Sequence, residues 1–352
     1  MFKSVLSLTL AAALGTASFG QTTLTAIPGE AAAAKYASIS QEILRAIEKG
    51  NEYLKSKQNP EGYWAQPSYP ALTALAVPAN QGKPVPEYIR KGYDFILKSQ
   101  KEDGSIFNRG MSSYNTAVCM MALLAANKEE YAPAILKGRA YLIKQQNHFA
   151  PDNPYNGGIG YGDKQAPPIA DLSNTSLALE AIYYSQKLAK DGKYGEQPDL
   201  DWNAATEFIN RCQQNPAVNK EPWVSNDKSQ LGGFVYRPGV SSARDKKSAA
   251  FDKAEPPKAY GSMTYAGMQS LIYANVDKND PRVKLALKWL ENSYSLDENP
   301  GMGVQGLYYY YQAMSKALSA MGIDTLTLEN GRKVDWRDEL ANKLISIRKG
   351  RQ

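Results

Sequence analysis

The sequence predicts an all-α fold built as a double ring of helix pairs, and two observations carry that expectation. The same ten-residue phrase returns three times: Lys49-Gly50-x-x-Tyr53-Leu54-x-x-x-Gln58, Lys91-Gly92-x-x-Phe95-Ile96-x-x-x-Gln100 and Lys137-Gly138-x-x-Tyr141-Leu142-x-x-x-Gln146. A phrase recurring every 42 to 46 residues marks a stacked supersecondary unit, because one unit cannot bury its apolar face without neighbours. Second, each phrase is one-sided in its apolar residues, whereas the helix that follows it is apolar nearly all round. The one-sided helix therefore belongs to an outer ring facing water, and the apolar helix to an inner ring covered on both sides.

Taken in order, residues 1–20 read as an export signal. Lys3 supplies the positive start, Val5 to Ala17 the apolar stretch, and Ser18-Phe19-Gly20 a small-x-small cleavage site before Gln21, which implies a periplasmic or secreted protein. No later run approaches the roughly 18 apolar residues of a membrane span. Residues 21–40 are a linker or an extra helix, the Ala-rich stretch Glu30 to Ser38 suiting either. A single domain is expected over 41–349. Its first outer helix carries Ile43, Ala46, Ile47, Tyr53 and Leu54 on one face. The inner helices are expected at Leu72 to Val77, Ala117 to Ala126, Leu177 to Tyr184, Tyr265 to Ala274 and Leu307 to Met321.

The phrase decays along the chain but stays in register. In the fourth unit Ala204-Ala205 replaces Lys-Gly, with Phe208-Ile209 and Gln213 following; in the fifth, Trp289-Leu290 and Tyr294 hold the aromatic and glutamine places. Thr325 to Leu328 and Lys333 to Trp336 flank Asn330-Gly331, a hairpin signal, and a last amphipathic helix spans about Arg337 to Ile347. Five to six pairs result. Two connections, 148–170 and 214–260, are too long for ordinary turns and lie between an outer and an inner helix, at one end of the ring.

Net charge is +6, spread in mixed-sign segments such as Arg244-Asp245-Lys246-Lys247, so no nucleic-acid face is expected. The chain has two cysteines, Cys119 and Cys212, which suit two buried thiols or one disulfide.

Extended through Gly62 to Trp64, the first unit resembles the glutamine-tryptophan repeat of squalene and hopene cyclases, and more widely the prenyltransferase/squalene oxidase repeat of the terpenoid cyclase and prenyltransferase β-subunit superfamily. Gln100-x3-Gly104 with Ile106, and the looser Gly158-Ile159 and Gly233-Phe234, continue it over roughly residues 41 to 322. The resemblance implies an α/α toroid. It also implies a site: cyclases place their proton donor at the middle aspartate of Asp-x-Asp-Asp-Thr, and the matching stretch here is Asp171-Leu172-Ser173-Asn174-Thr175. Ser173 stands at the acid position, and a hydroxyl has no comparable acidity with which to protonate an alkene. Family-type cyclase activity is therefore not expected. The zinc of the prenyltransferases is not expected either, because the single histidine, His148, sits in a polar loop. The Cys-Gly-Glu-Gln stretch of complement-type thioester domains is absent, and the β-domain of cobalamin carriers is not apparent. No cofactor is called for.

Each inner helix starts on a polar or aromatic cluster, and all five starts point to one end. Capping alone accounts for any one of these residues more readily than lining does; Tyr308 to Tyr311 must send one or two rings inward whatever the helix rotation, core packing being the plain explanation. Asp171, Ser173, Asn174 and Tyr265 are the weak catalytic candidates, with Tyr265 or Tyr308 as partners for Asp171. Tyr114, Asn115, Thr175, Ser262, Thr264, Gln305 and Tyr308 are the cavity candidates. Three functions remain open: a binding or scaffold protein, an extracellular enzyme acting on glycans at the toroid mouth, and a terpenoid- or lipid-binding protein. A deep apolar cavity lined by Met263, Met268 and tyrosine rings would favour the lipid. A shallow polar groove with Asp171 beside Arg237 or Arg244 would favour the glycan, and a filled axis scaffolding.

Overall fold

The computed structural model describes residues 30–77, 85–162, 169–243 and 256–349. The expected export signal, Arg244 and parts of both long connections lie outside the described residues. Eleven α-helices and one two-stranded antiparallel sheet are found among those described. The helices are α1 (Glu30–Lys57), α2 (Pro70–Ala76), α3 (Glu87–Lys98), α4 (Ser112–Ala126), α5 (Ala132–Lys144), α6 (Leu172–Lys190), α7 (Trp202–Arg211), α8 (Gly261–Tyr273), α9 (Pro281–Asn292), α10 (Leu307–Met321) and α11 (Trp336–Lys349). The stretch Glu30 to Ser38 is thus helical, and it extends the first repeat helix without a break. No described helix is long and apolar enough to cross a membrane.

The even-numbered helices pack side by side in sequence, α2 on α4, α4 on α6, α6 on α8 and α8 on α10. The odd-numbered helices lie against them, α3 on α2, α5 on both α4 and α6, and α9 on α8, while α11 packs on α1. Burial follows the repeat: Leu54, Ile96, Leu142, Ile209 and Leu290, the aliphatic residues of the five phrases, are all buried, and the phrase lysines Lys49, Lys91 and Lys137 are exposed. The buried apolar residues from Ile43 to Ile345 form one continuous cluster.

The repeat is a hydrogen-bonded joint, made four times with the same parts. The glutamine amide donates to the carbonyl of its own unit's glycine and to a first-turn carbonyl of the next outer helix. Gln58 bonds Gly62 and Tyr88, Gln100 bonds Gly104 and Ala134, Gln146 bonds Gly157 and Asp201, and Gln213 bonds Gly232 and Arg282. Each glycine has positive φ and lies so close to the next helix that a Cβ would meet the backbone oxygen of Lys91, Lys137, Ala204 or Leu285 at 1.9 to 2.3 Å. Only glycine satisfies both demands. Two residues on, the backbone N–H of Trp64, Ile106, Ile159 or Phe234 donates to a buried threonine of the inner helix, Thr73, Thr116, Thr175 or Thr264.

The long connections are loops grown inside this joint. Their bases are closed by the bonds Gly157 N–H to Asn147 O and Gly232 N–H to Gln214 O, matching Gly62 to Asn59 and Gly104 to Lys101 in the short units. In the fifth unit Tyr294 replaces the glutamine and its hydroxyl donates to Glu339 on α11. The C-terminal hairpin pairs Thr325–Thr327 with Lys333–Asp335. Its connection is wider than the two-residue turn expected at Asn330-Gly331: Leu328 bonds Arg332, and Gly331 alone takes positive φ, the pattern of a type I turn followed by a left-handed glycine. Both cysteines are buried and free, and burial pushes both thiols up.

Candidate functional site

On an α-helix, residues two apart point about 200° away from one another. Because Thr73, Thr116, Thr175 and Thr264 face the repeat joints, Ala71, Tyr114, Ser173 and Ser262 face the other way, inward from the outer layer. Tyr309 of α10 joins this level through a 3.1 Å hydrogen bond between its hydroxyl and that of Ser173. Tyr114, Ser173 and Tyr309 are half-buried, whereas Ala71 and Ser262 are buried.

A second pair repeats this crossing deeper in. Glu180 of α6 and Lys316 of α10 form a 2.9 Å ion pair. Both pairs join residues 136 positions apart, so α6 and α10 run parallel and in register, with the ion pair about 10 Å below the hydroxyl pair. Leu177 of α6 and Ala313 of α10 fall in the turn between the two crossings. Below them Tyr183 and Tyr184 pack on Tyr273, at ring separations of 5.0 and 5.6 Å, and Gln269 donates to the Tyr273 hydroxyl.

Asp171 caps α6. Its Oδ1 accepts from the Asn174 backbone N–H at 2.8 Å and its Oδ2 from the Asn174 amide at 2.7 Å. The carboxyl is only 2 % exposed. Burial raises its pKa to about 6, against the lowering effect of both Asn174 bonds, the nearby Tyr236 hydroxyl and the charge of Arg237. The Tyr236 hydroxyl lies 3.3 Å from that of Tyr161. Tyr161 is 39 % exposed, so this pair of hydroxyls reaches solvent.

Of the other candidates, the asparagine, serine and threonine side chains have settled partners. Asn115 accepts from the Ala71 N–H and donates to Gly110 and Met111, thereby capping the neighbouring α2. Asn299 does the same for α8 through the Ser262 N–H, and its amide donates to the Ser262 hydroxyl and the Gln305 carbonyl. Thr175 and Thr264 are fully buried parts of the joints. Gln305 is exposed on the loop before α10. Tyr308 packs edge-on against Tyr311. Tyr265 is fully buried against Tyr310, its neighbours including Tyr294 and Glu291 of the outer layer. The tyrosines beside Asp171 are therefore Tyr236, Tyr260 and Tyr309, each of whose pKa its charge helps to raise, after the larger effect of burial. Met263 and Met268 are core residues.

Sequence reasoning singled out none of Tyr161, Tyr236 and Tyr309. A signal existed: Tyr161 and Tyr236 each stand two residues beyond the joint residues Ile159 and Phe234, where the short units have Gln66 and Asn108. No group of three or more metal-ligating side chains occurs among the described residues. No protein-family model matches this chain.

Proposed function

We propose that the chain is an exported relative of the squalene-cyclase-like toroids that serves as a binding protein for a neutral, hydroxyl-rich ligand, with a glycan as the class that fits best. The toroid reading is supported by the consecutive packing of α2, α4, α6, α8 and α10, by the outer helices laid over them, and by the seating of α11 on α1. One observation carries the binding reading. The starts of the inner helices gather hydroxyls on aromatic rings, Tyr114 and Tyr309 from the helices and Tyr161 and Tyr236 from the long connections, with Ser173 and a buried acid. Rings of this kind offer an apolar face and a polar edge, which suits the two faces of a sugar.

The lipid reading has less support. An isoprenoid needs a deep apolar cavity, and here two polar crossings span the inner layer, with Met263 and Met268 spent in the core. The enzyme reading has less support as well. Ser173 at the cyclase acid position is bonded to Tyr309, and both oxygens of Asp171 are engaged in capping.

The test is calorimetric titration of the mature chain with neutral oligosaccharides. Binding is expected, and Tyr309→Ala with Tyr114→Ala should weaken it at least about tenfold, as loss of stacking rings does. Recovery of a bound isoprenoid from the purified protein, with no response to any sugar, would overturn the reading.

A further inference from the structure

We propose that the inward faces of α4, α6 and α10 wall a narrow channel that admits one end of a glycan chain, with Gln312 and Lys316 of α10 as the donors that receive its terminal sugar. This rests on the binding reading above and names the subsite and the end-on pose of the ligand.

Burial traces the channel. Between Ser112 and Leu124 of α4 only Tyr114 and Met121 are half-buried, between Leu172 and Ile182 of α6 only Ser173 and Leu177, and between Tyr310 and Leu318 of α10 only Gln312 and Lys316; every other residue of these stretches is buried. Spacings of four and seven put each pair on one stripe of its helix. On α4 and α6 that stripe lies opposite the threonine of the joint. On α10 it continues from Tyr309, which faces away from Tyr311, whose hydroxyl donates to the Leu296 carbonyl of the fifth-unit connection. A helix packed on its other sides shows such a stripe only where space lies alongside it. From Gly261 to Leu271 α8 shows none. It packs between α6 and α10, and the Ser173–Tyr309 and Glu180–Lys316 crossings join those two helices across its inward face.

The donors are set along the channel and not across it. Tyr309, Gln312 and Lys316 follow one another on α10 at three and four residues, a rise of about 10 Å. The Gln312 amide has no hydrogen-bond partner among the described residues. In the ion pair the ammonium is the accessible half, its side chain 24 % exposed against 6 % for Glu180, and of its three protons one goes to Glu180. The pair carries no net charge. A ligand carboxylate at Lys316 would sit beside Glu180, and an alkyl chain would leave the Gln312 amide and two ammonium protons unmet, whereas the hydroxyls of a terminal sugar accept from all of them. Tyr114 and Met121 supply an apolar wall for the sugar's C–H face. Below the ion pair Tyr183 and Tyr184 pack on Tyr273 and give the channel a floor, which is why an end enters and the chain does not pass through.

The experiment on the mature chain has two arms, and the first needs no ligand. Cys119 and Cys212 are fully buried, so the wild type should not react with an aqueous methanethiosulfonate reagent. Gln312→Cys should be labelled and Ala266→Cys on α8 should not; a folded Gln312→Cys protein that stays unlabelled overturns the channel. The second arm titrates cellopentaose and maltopentaose calorimetrically, plain and tagged at one end, with aminobenzamide on the reducing end or a benzylidene group on the other. The tag on the entering end should abolish binding and the other should not; equal effects of the two tags overturn the end-on pose. Gln312→Leu, which removes no hydrogen bond among the described residues, should weaken binding about three- to tenfold, the worth of one hydrogen bond. Glu180→Gln combined with Lys316→Met, which avoids a buried unpaired carboxylate, should weaken it about tenfold or more. A pentaose that binds both variants as it binds the wild type overturns the chain-end subsite and leaves the glycan reading standing. If neither pentaose binds the wild type, the glycan reading fails and the chain-end subsite with it.

Discussion

The repeat joints and the inward-facing level of the inner helices lie a few ångströms apart and obey opposite rules. Four joints use the same four parts in the same bonds: a glutamine amide, a left-handed glycine, a backbone N–H and a threonine hydroxyl. The inward level, read two residues before each threonine, is Ala71, Tyr114, Ser173 and Ser262, with Tyr309 from the fifth unit, and no residue type recurs in more than two units. Sameness follows where each unit must solve the same docking problem. Difference is free to accumulate where no shared docking contact has to be repeated.

The harshest way to break the joint is Gly104→Ala. A Cβ there would sit 2.2 Å from the Lys137 oxygen on a backbone at φ +91, so a loss of about 3 to 5 kcal/mol is expected in urea unfolding. Gly192→Ala, with positive φ and nothing within 4 Å, should cost only about 1 kcal/mol and so separate collision from strain. Next comes Asp171→Asn. The folded pKa of Asp171 is raised, so its contribution is fully present below the unfolded value near 4 and is lost as pH rises through about 6. The wild type should lose about 2 to 3 kcal/mol across that window; in Asp171→Asn, which keeps a capping side chain, that slope should vanish. The glutamine-to-methionine series should cost about 1 to 2 kcal/mol each, since two carbonyls lose a donor, with buried Gln146 and Gln213 costing more than half-buried Gln58 and Gln100. Smallest is Ser173→Ala, expected to change stability by less than about 1 kcal/mol while altering ligand affinity, which would mark the inward level as dispensable for folding.

The joint was largely legible in the sequence, because a residue doing the same task four times recurs four times. Even the glutamine's reach to a neighbouring helix could be argued from its place at a helix end. The inward level was only half legible. Ser173 stood out against the resembling motif, and Asp171 was identifiable as an acid at a helix start, but their partners lie far away in sequence. Tyr236 arrives on a long connection, and Tyr309 was one of four consecutive tyrosines whose rotation no periodicity could fix. Tyr265 drew attention for its place near a helix start, yet it follows the joint residue Thr264 by one position and so turns toward α9 and Tyr310. Composition alone makes Thr175 and Thr264 cavity candidates, because capping residues and lining residues share it. Only the bond from Ile159 or Phe234 tells which way such a threonine points.

The seating of α11 on α1 brings the first and last outer helices together. The linear order of the units is thus a convenience of synthesis, whereas the neighbour relations are what the bonds specify. A circularly permuted chain, joined between α11 and α1 by a flexible bridge able to run the length of α1 and opened at Asn127-Lys128 between α4 and α5, retains every glutamine joint. It should refold to the same molecule, with its ends displayed on the side opposite Tyr161.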